Sequence, residues 1–152
     1  NKEGVFMLQK ETETAALLQE CDAGIKMGIA SIAEVLDQVK SQELYRFLAD
    51  CKREHEYLGR ELEELLSSFG EEERQPSAAA KGIAWFKTNV KMAASPGDAT
   101  IADLMTDGCN TGIKALRRAL NRAPDALPLA RNVAQRLILT EETLARRIAP
   151  FL

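Results

Sequence analysis

The sequence predicts an all-α protein: a four-helix bundle of two helical hairpins joined by a long crossover that contains a short extra helix. Three observations carry this. Apolar residues recur at steps of three and four through four long segments, the period of a helix with one buried face. Two strings echo each other 88 residues apart, Cys21-Asp22-Ala23-Gly24-Ile25-Lys26 and Cys109-Asn110-Thr111-Gly112-Ile113-Lys114, each inside a helical segment that a second one follows. The break after each of those segments is short, which makes the paired helices antiparallel neighbours.

The first helix is expected from about Thr12 to Val39, leaving residues 1–11 as an N-terminal extension to a single domain over residues 12–150. Leu17, Cys21, Gly24, Ile25, Gly28, Ile32, Leu36 and Val39 form its stripe. Glycine costs a helix about 1 kcal/mol relative to alanine, and close approach by a second helix is the expected compensation at Gly24 and Gly28. Ser41 caps the second helix, and Glu43 in its first turn complements the helix dipole. Its stripe reads Leu44, Leu48, Cys51, His55, Leu58, Leu62, Leu65 and Phe69, with Gly70 just past its end. Glu71–Pro76 is a polar linker.

The crossover helix runs from about Ser77 to Ala94. Ile83, Phe86, Val90 and Ala93 form its apolar side; Lys81, Lys87 and Lys91 flank it, and Trp85 sits beside the stripe. Ser95-Pro96-Gly97-Asp98 reads as a turn with Asp98 as the N-cap of the next helix. That helix, about Ala99 to Arg122, turns Ile101, Leu104, Met105, Cys109, Gly112, Ile113, Leu116 and Leu120 inward. Ala123-Pro124-Asp125 breaks it. The last helix runs to about Ala149 with Leu129, Val133, Leu137, Thr140, Leu144 and Ile148 inward, and Pro128 fits only its first turn. Hairpin, crossover and hairpin in that order give the ferritin-like topology.

The bulk numbers agree with one soluble globular domain: 152 residues, 45% apolar and 28% charged. No run approaches the roughly 18 apolar residues of a membrane span. Three cysteines without disulfide spacing read as reduced thiols of a cytoplasmic protein. Charge is uneven: residues 1–75 hold 17 acids and 9 bases, residues 76–152 hold 6 acids and 11 bases. Two oppositely charged hairpins attract each other within one bundle; the other reading is a basic face for an acidic protein partner, or head-to-tail association of copies. The basic residues have no interleaved aromatics, so no nucleic acid is expected as a partner.

The chain resembles a bacterial ferritin-like family of four-helix proteins of uncharacterised function. The residues that carry the likeness are the Cys-x-x-Gly strings at Cys21 and Cys109, Gln42–Leu48 through Glu61–Leu65, the Lys/Trp crossover, and Gly97-Asp98. The resemblance covers about residues 12–150 and implies the fold without implying an activity.

Ferritin-like di-metal proteins place a Glu on each of two helices and a Glu-x-x-His on each of the other two. Carboxylates bridge and neutralise two cations, and imidazoles cap them. This chain has one histidine. The residue three before His55 is Lys52, whose ammonium repels cations, and the repeat offset carries Lys52 and His55 onto Thr140 and Thr143. The remaining metal candidates are His55, Glu20 and Asp107, with Glu54, Glu56 and Glu141 nearby. At helical rise, about 1.5 Å per residue, Cys21 lies too far from Cys51 for a shared metal or disulfide. His55 and Cys51 share a stripe and read as core groups. Cys21 and Cys109, related by the repeat, read first as packing residues and second as a redox thiol pair.

Function is therefore expected to be that of a non-catalytic scaffold or interaction module, with a homodimer, an unidentified protein partner and no cofactor. Two alternatives stay open: an atypical iron or manganese protein centred on His55, Glu20 and Asp107, and a thiol-based redox protein using Cys21 and Cys109. No catalytic residue is assigned. Glu61, Glu63 and Glu64 read as a solvated face, and no phosphate-binding glycine loop is present.

Overall fold

The structure, a computed structural model, describes residues 1–69, 77–93 and 96–152. Gly70, the linker Glu71–Pro76, Ala94 and Ser95 lie outside the described residues, so the expected helix-end glycine and part of the expected turn lie there too. The described chain is all-helical: α1 (Lys2–Val35, prolonged by a 3-10 turn Leu36–Gln38), α2 (Gln42–Ser68), α3 (Ser77–Met92), α4 (Asp98–Arg122) and α5 (Pro128–Ile148, followed by a 3-10 turn Ala149–Phe151).

The first helix begins at Lys2 and not near Thr12. Asn1 caps it, its Oδ1 accepting the Gly4 N–H at 2.7 Å, and Glu3 stands in the first turn. Val5, Phe6, Met7 and Leu8 in that stretch are exposed, so the cap and local propensity sustain it and tertiary packing does not. Ser41 caps α2 as expected, its Oγ accepting from the Leu44 N–H at 3.2 Å. Asp98 departs from expectation. Gly97 holds the cap position and Asp98 opens α4. Its carboxylate accepts instead from the Lys40 N–H at 2.9 Å and the Ser41 N–H at 3.0 Å, across in the first hairpin's turn. A charged acceptor for two backbone donors is a stronger use of that side chain than a local cap.

A matching tie stands at the other end. Glu13 accepts from the Asp125 N–H at 2.7 Å, and the Thr14 hydroxyl accepts from the Leu127 N–H at 2.9 Å while donating to the Lys10 carbonyl. The end of α1 thus lies beside the start of α4, and the body of α1 beside the second turn, so α1 and α4 are antiparallel. Arg136 pairs with Glu61 and Glu141 with His55, which sets α5 antiparallel to α2. Helix α3 lies across α1 and α4. The chain leaves α2 at one end of the assembly and enters α4 at the other.

The core falls into two apolar clusters. One holds Leu17, Leu18, Cys21, Ile25, Leu58, Leu62, Leu116 and Leu137 with their neighbours. The other holds Ile32, Val35, Leu44, Leu48, Cys51, Phe86, Met105, Cys109, Leu144 and Ile148. Three inward assignments move. Leu66 takes the deep position beside the half-buried Leu65, Leu129 is 63% exposed, and Thr140 is half-buried with its hydroxyl bonded back to the Arg136 carbonyl. The α5 stripe is set by Val133, Leu137, Leu144 and Ile148, and in its first turn the buried position is Ala130.

Candidate functional site

Between the two clusters each long helix contributes one residue that is not a large hydrophobe: Gly28 from α1, His55 from α2, Gly112 from α4 and Glu141 from α5. His55 is fully buried and Glu141 is 8% exposed. Gly28 makes room for this layer. A Cβ at position 28 would stand 2.5 Å from the His55 ring, and one at position 112 would stand 3.9 Å from Glu141 Oε2. The close approach expected at Gly28 is therefore an approach by an imidazole; Gly24 faces Leu137.

Both nitrogens of His55 meet acceptors. Nδ1 lies 2.8 Å from the Cys51 carbonyl and 3.7 Å from its Sγ, and Nε2 lies 2.6 Å from Glu141 Oε1. With the Glu141 carboxylate and the Cys51 carbonyl both accepting, the ring is an imidazolium donating from both nitrogens. Burial alone would push its pKa down; the hydrogen bonds to Cys51 and Glu141 and the Glu141 charge overcome that and lift it to about 10. The result is a buried ion pair with every ring donor used.

The thiols of Cys21 and Cys109 are acid-weakened. Burial, with Glu20 and Asp22 adding negative charge nearby, pushes Cys21 up to about 12. Burial, the Glu141 charge and its hydrogen bond push Cys109 up as well. Both are protonated thiols at neutral pH. The repeat-related pair is not brought together: Cys21 belongs to one core cluster and Cys109 to the other. All three cysteines are free.

Of the metal candidates, only His55 lies in the layer. Glu20 and Asp107 are exposed, and Glu20 lines a surface groove with Arg118 and Arg122. Glu54 is exposed, and Glu56 pairs with Lys52 at 2.9 Å. Among the described residues no three or more His, Cys, Asp or Glu are grouped so as to hold a metal ion. Glu141 is the partner that the sequence places near the site without assigning it to His55. The signal for it is present: Leu137, Glu141, Leu144 and Ile148 run at steps of four, three and four, so a carboxylate occupies an inward position.

A cavity of about 50 Å³ adjoins the layer, bounded by α1, α3, α4 and α5. Glu141 and Cys109 line it, with Met27, Met105 and Phe86, and Gly24, Gly28, Gly108 and Gly112 widen it. Phe86 is buried while Trp85 is 48% exposed, the division expected of the crossover. Among the described residues no helix is long and apolar enough to cross a membrane. Comparison of the chain with models of protein families, with curated proteins and with solved structures finds no match.

Proposed function

We propose that the chain is a ferritin-like bundle with a structural interior that acts through its surface, as a non-catalytic scaffold or interaction module. The observation that carries this reading is the His55–Glu141 ion pair. In a di-metal bundle the middle layer presents unprotonated imidazoles and several carboxylates to two cations. Here the one imidazole donates both N–H groups and the one buried carboxylate of the layer is neutralised by it. The order hairpin, crossover, hairpin and the antiparallel pairing of α1 with α4 and α2 with α5 support the ferritin-like part. An iron or manganese centre on His55, Glu20 and Asp107 has less support, because two of those residues face solvent. A Cys21/Cys109 redox pair has less support, because both thiols are acid-weakened and sit in separate clusters.

Exposed Trp85 and the apolar stretch Val5–Leu8 are the groups through which such a module would meet a second copy or another protein. The test is elemental analysis of protein purified without a metal-affinity step, repeated on His55→Ala. The expected result is no stoichiometric iron or manganese in either. About two equivalents in the parent chain that disappear in the variant would overturn the proposal. Sedimentation over a concentration series reads the homodimer.

A further inference from the structure

The cavity beside the layer is lined by three sulfur-bearing residues from two helices. Met105 and Cys109 are four residues apart on α4, which puts them on one face, and they are 4% and 2% exposed. Met27 reaches the same cavity from α1. It packs against α3: its Cε and Sδ lie 2.2 and 3.0 Å from where a Cβ on Gly82 would stand, so a side chain there would require Met27 to shift. Gly108 borders the cavity with nothing within 4 Å of where its Cβ would be. About 50 Å³ exceeds the roughly 10–15 Å³ needed to seat one water-sized particle.

We propose that this cavity is a site for one soft monovalent metal ion, copper(I), held by the Cys109 thiolate and the Met27 and Met105 thioethers. Thiolate and thioether ligands select copper(I) over harder ions. Charge selects in the same direction. Glu141 is already neutralised by His55, so the cavity starts neutral. Copper(I) enters by exchange, Cu⁺ displacing the Cys109 proton, which leaves to solvent; an S–H bond breaks, an S–Cu bond forms, no electron moves, and the buried charge is unchanged. A divalent ion at the same place would leave one uncompensated positive charge in an apolar cavity, which is costly. Glu141 stays paired with His55, so the proposal goes beyond the structural reading of the layer, and an iron or manganese assay does not bear on it.

The test is an anaerobic titration of the full chain with copper(I) supplied as its bicinchoninate complex, followed by copper X-ray absorption. One copper(I) per chain with a sulfur-only first shell is expected. Cys109→Ser should weaken binding by more than about a hundredfold, beyond what loss of a supporting group costs a metal site, and Met27→Leu or Met105→Leu by about tenfold or more. The leucine variants conserve volume and keep the fold measurable should Cys109→Ser unfold. Cys21→Ser and zinc(II) serve as controls: the variant should bind copper(I) as the parent does, and zinc should not bind stoichiometrically. Unchanged affinity in the leucine variants, a first shell with nitrogen or oxygen, or binding that is lost with Cys21 would overturn the site.

Discussion

Replacing Glu141 by leucine takes the acceptor from a ring nitrogen that has no route to water, since His55 is fully buried. Breaking a buried ion pair from one side costs about 3–5 kcal/mol, because the other charge is left uncompensated. The same reasoning makes His55→Leu/Glu141→Leu much milder than either single change, from roughly neutral to about 1–4 kcal/mol more stable than the parent. The pH dependence gives an independent reading. A histidine whose folded pKa is raised from 6.5 to about 10 contributes stability that is fully present below pH 6.5 and is lost as pH rises toward 10. Between those limits only the folded state holds the proton, so stability falls by about 1.4 kcal/mol per pH unit. From pH 6.5 to 8.5 that amounts to roughly 3 kcal/mol, in line with the cost of breaking the pair. The assay is urea denaturation at half-unit pH steps, with the double-leucine variant as the reference for every other titrating group. A parent slope equal to that of the double variant, or a Glu141→Leu cost under about 1 kcal/mol, would refute the assignment of an imidazolium at the centre of the bundle.

Two glycines on facing helices should respond oppositely to alanine. Gly28→Ala drives a Cβ to 2.5 Å from the His55 ring and should cost about 1–3 kcal/mol. Gly108→Ala, with open space beside it, should gain up to about 1 kcal/mol in helix propensity; urea midpoints read both. Thr14→Val leaves the Leu127 N–H without its acceptor and should cost about 1–3 kcal/mol and speed hydrogen exchange at that amide. Asp98→Ala should do the same to the Lys40 and Ser41 amides and lower stability by about 1–2 kcal/mol. Deleting residues 1–11 removes mainly exposed side chains and should shift stability by less than about 0.5 kcal/mol, read by thermal unfolding.

Much of this arrangement is legible in the chain. Ser41 announces a cap, the three-and-four spacing marks the buried faces, and the glycines of α1 announce close approach. What the sequence hides is which side chain approaches. Gly28 and His55 lie on helices joined by a short turn, so their meeting follows from register; Glu141 lies 86 residues from His55, and only tertiary packing of α5 against α2 selects it. A polar residue inside an apolar stripe is also discounted by any reading that counts hydrophobes, which is how Thr140 takes the place of Glu141 in the expected stripe. Asp98 fails for a related reason: a local cap and a long-range acceptor call for the same residue type before a helix. The early start of α1 depends on Asn1 and Glu3, which give no periodicity signal because nothing packs on that turn.

The reciprocal ties at the ends of α1 and α4 have a consequence for how the molecule can be assembled. Each hairpin's turn donates backbone N–H groups to a side chain on the other hairpin: Lys40 and Ser41 to Asp98, Asp125 and Leu127 to Glu13 and Thr14. Neither clasp involves α3, and none of its bonds requires that donor and acceptor share a chain. Fragments cut within the crossover should therefore recognise one another, drawn together by their opposite net charges and locked in register at both ends. At high concentration the same complementarity lets one copy's second hairpin seat on another copy's first, so an exchanged dimer would reuse these contacts without a new interface.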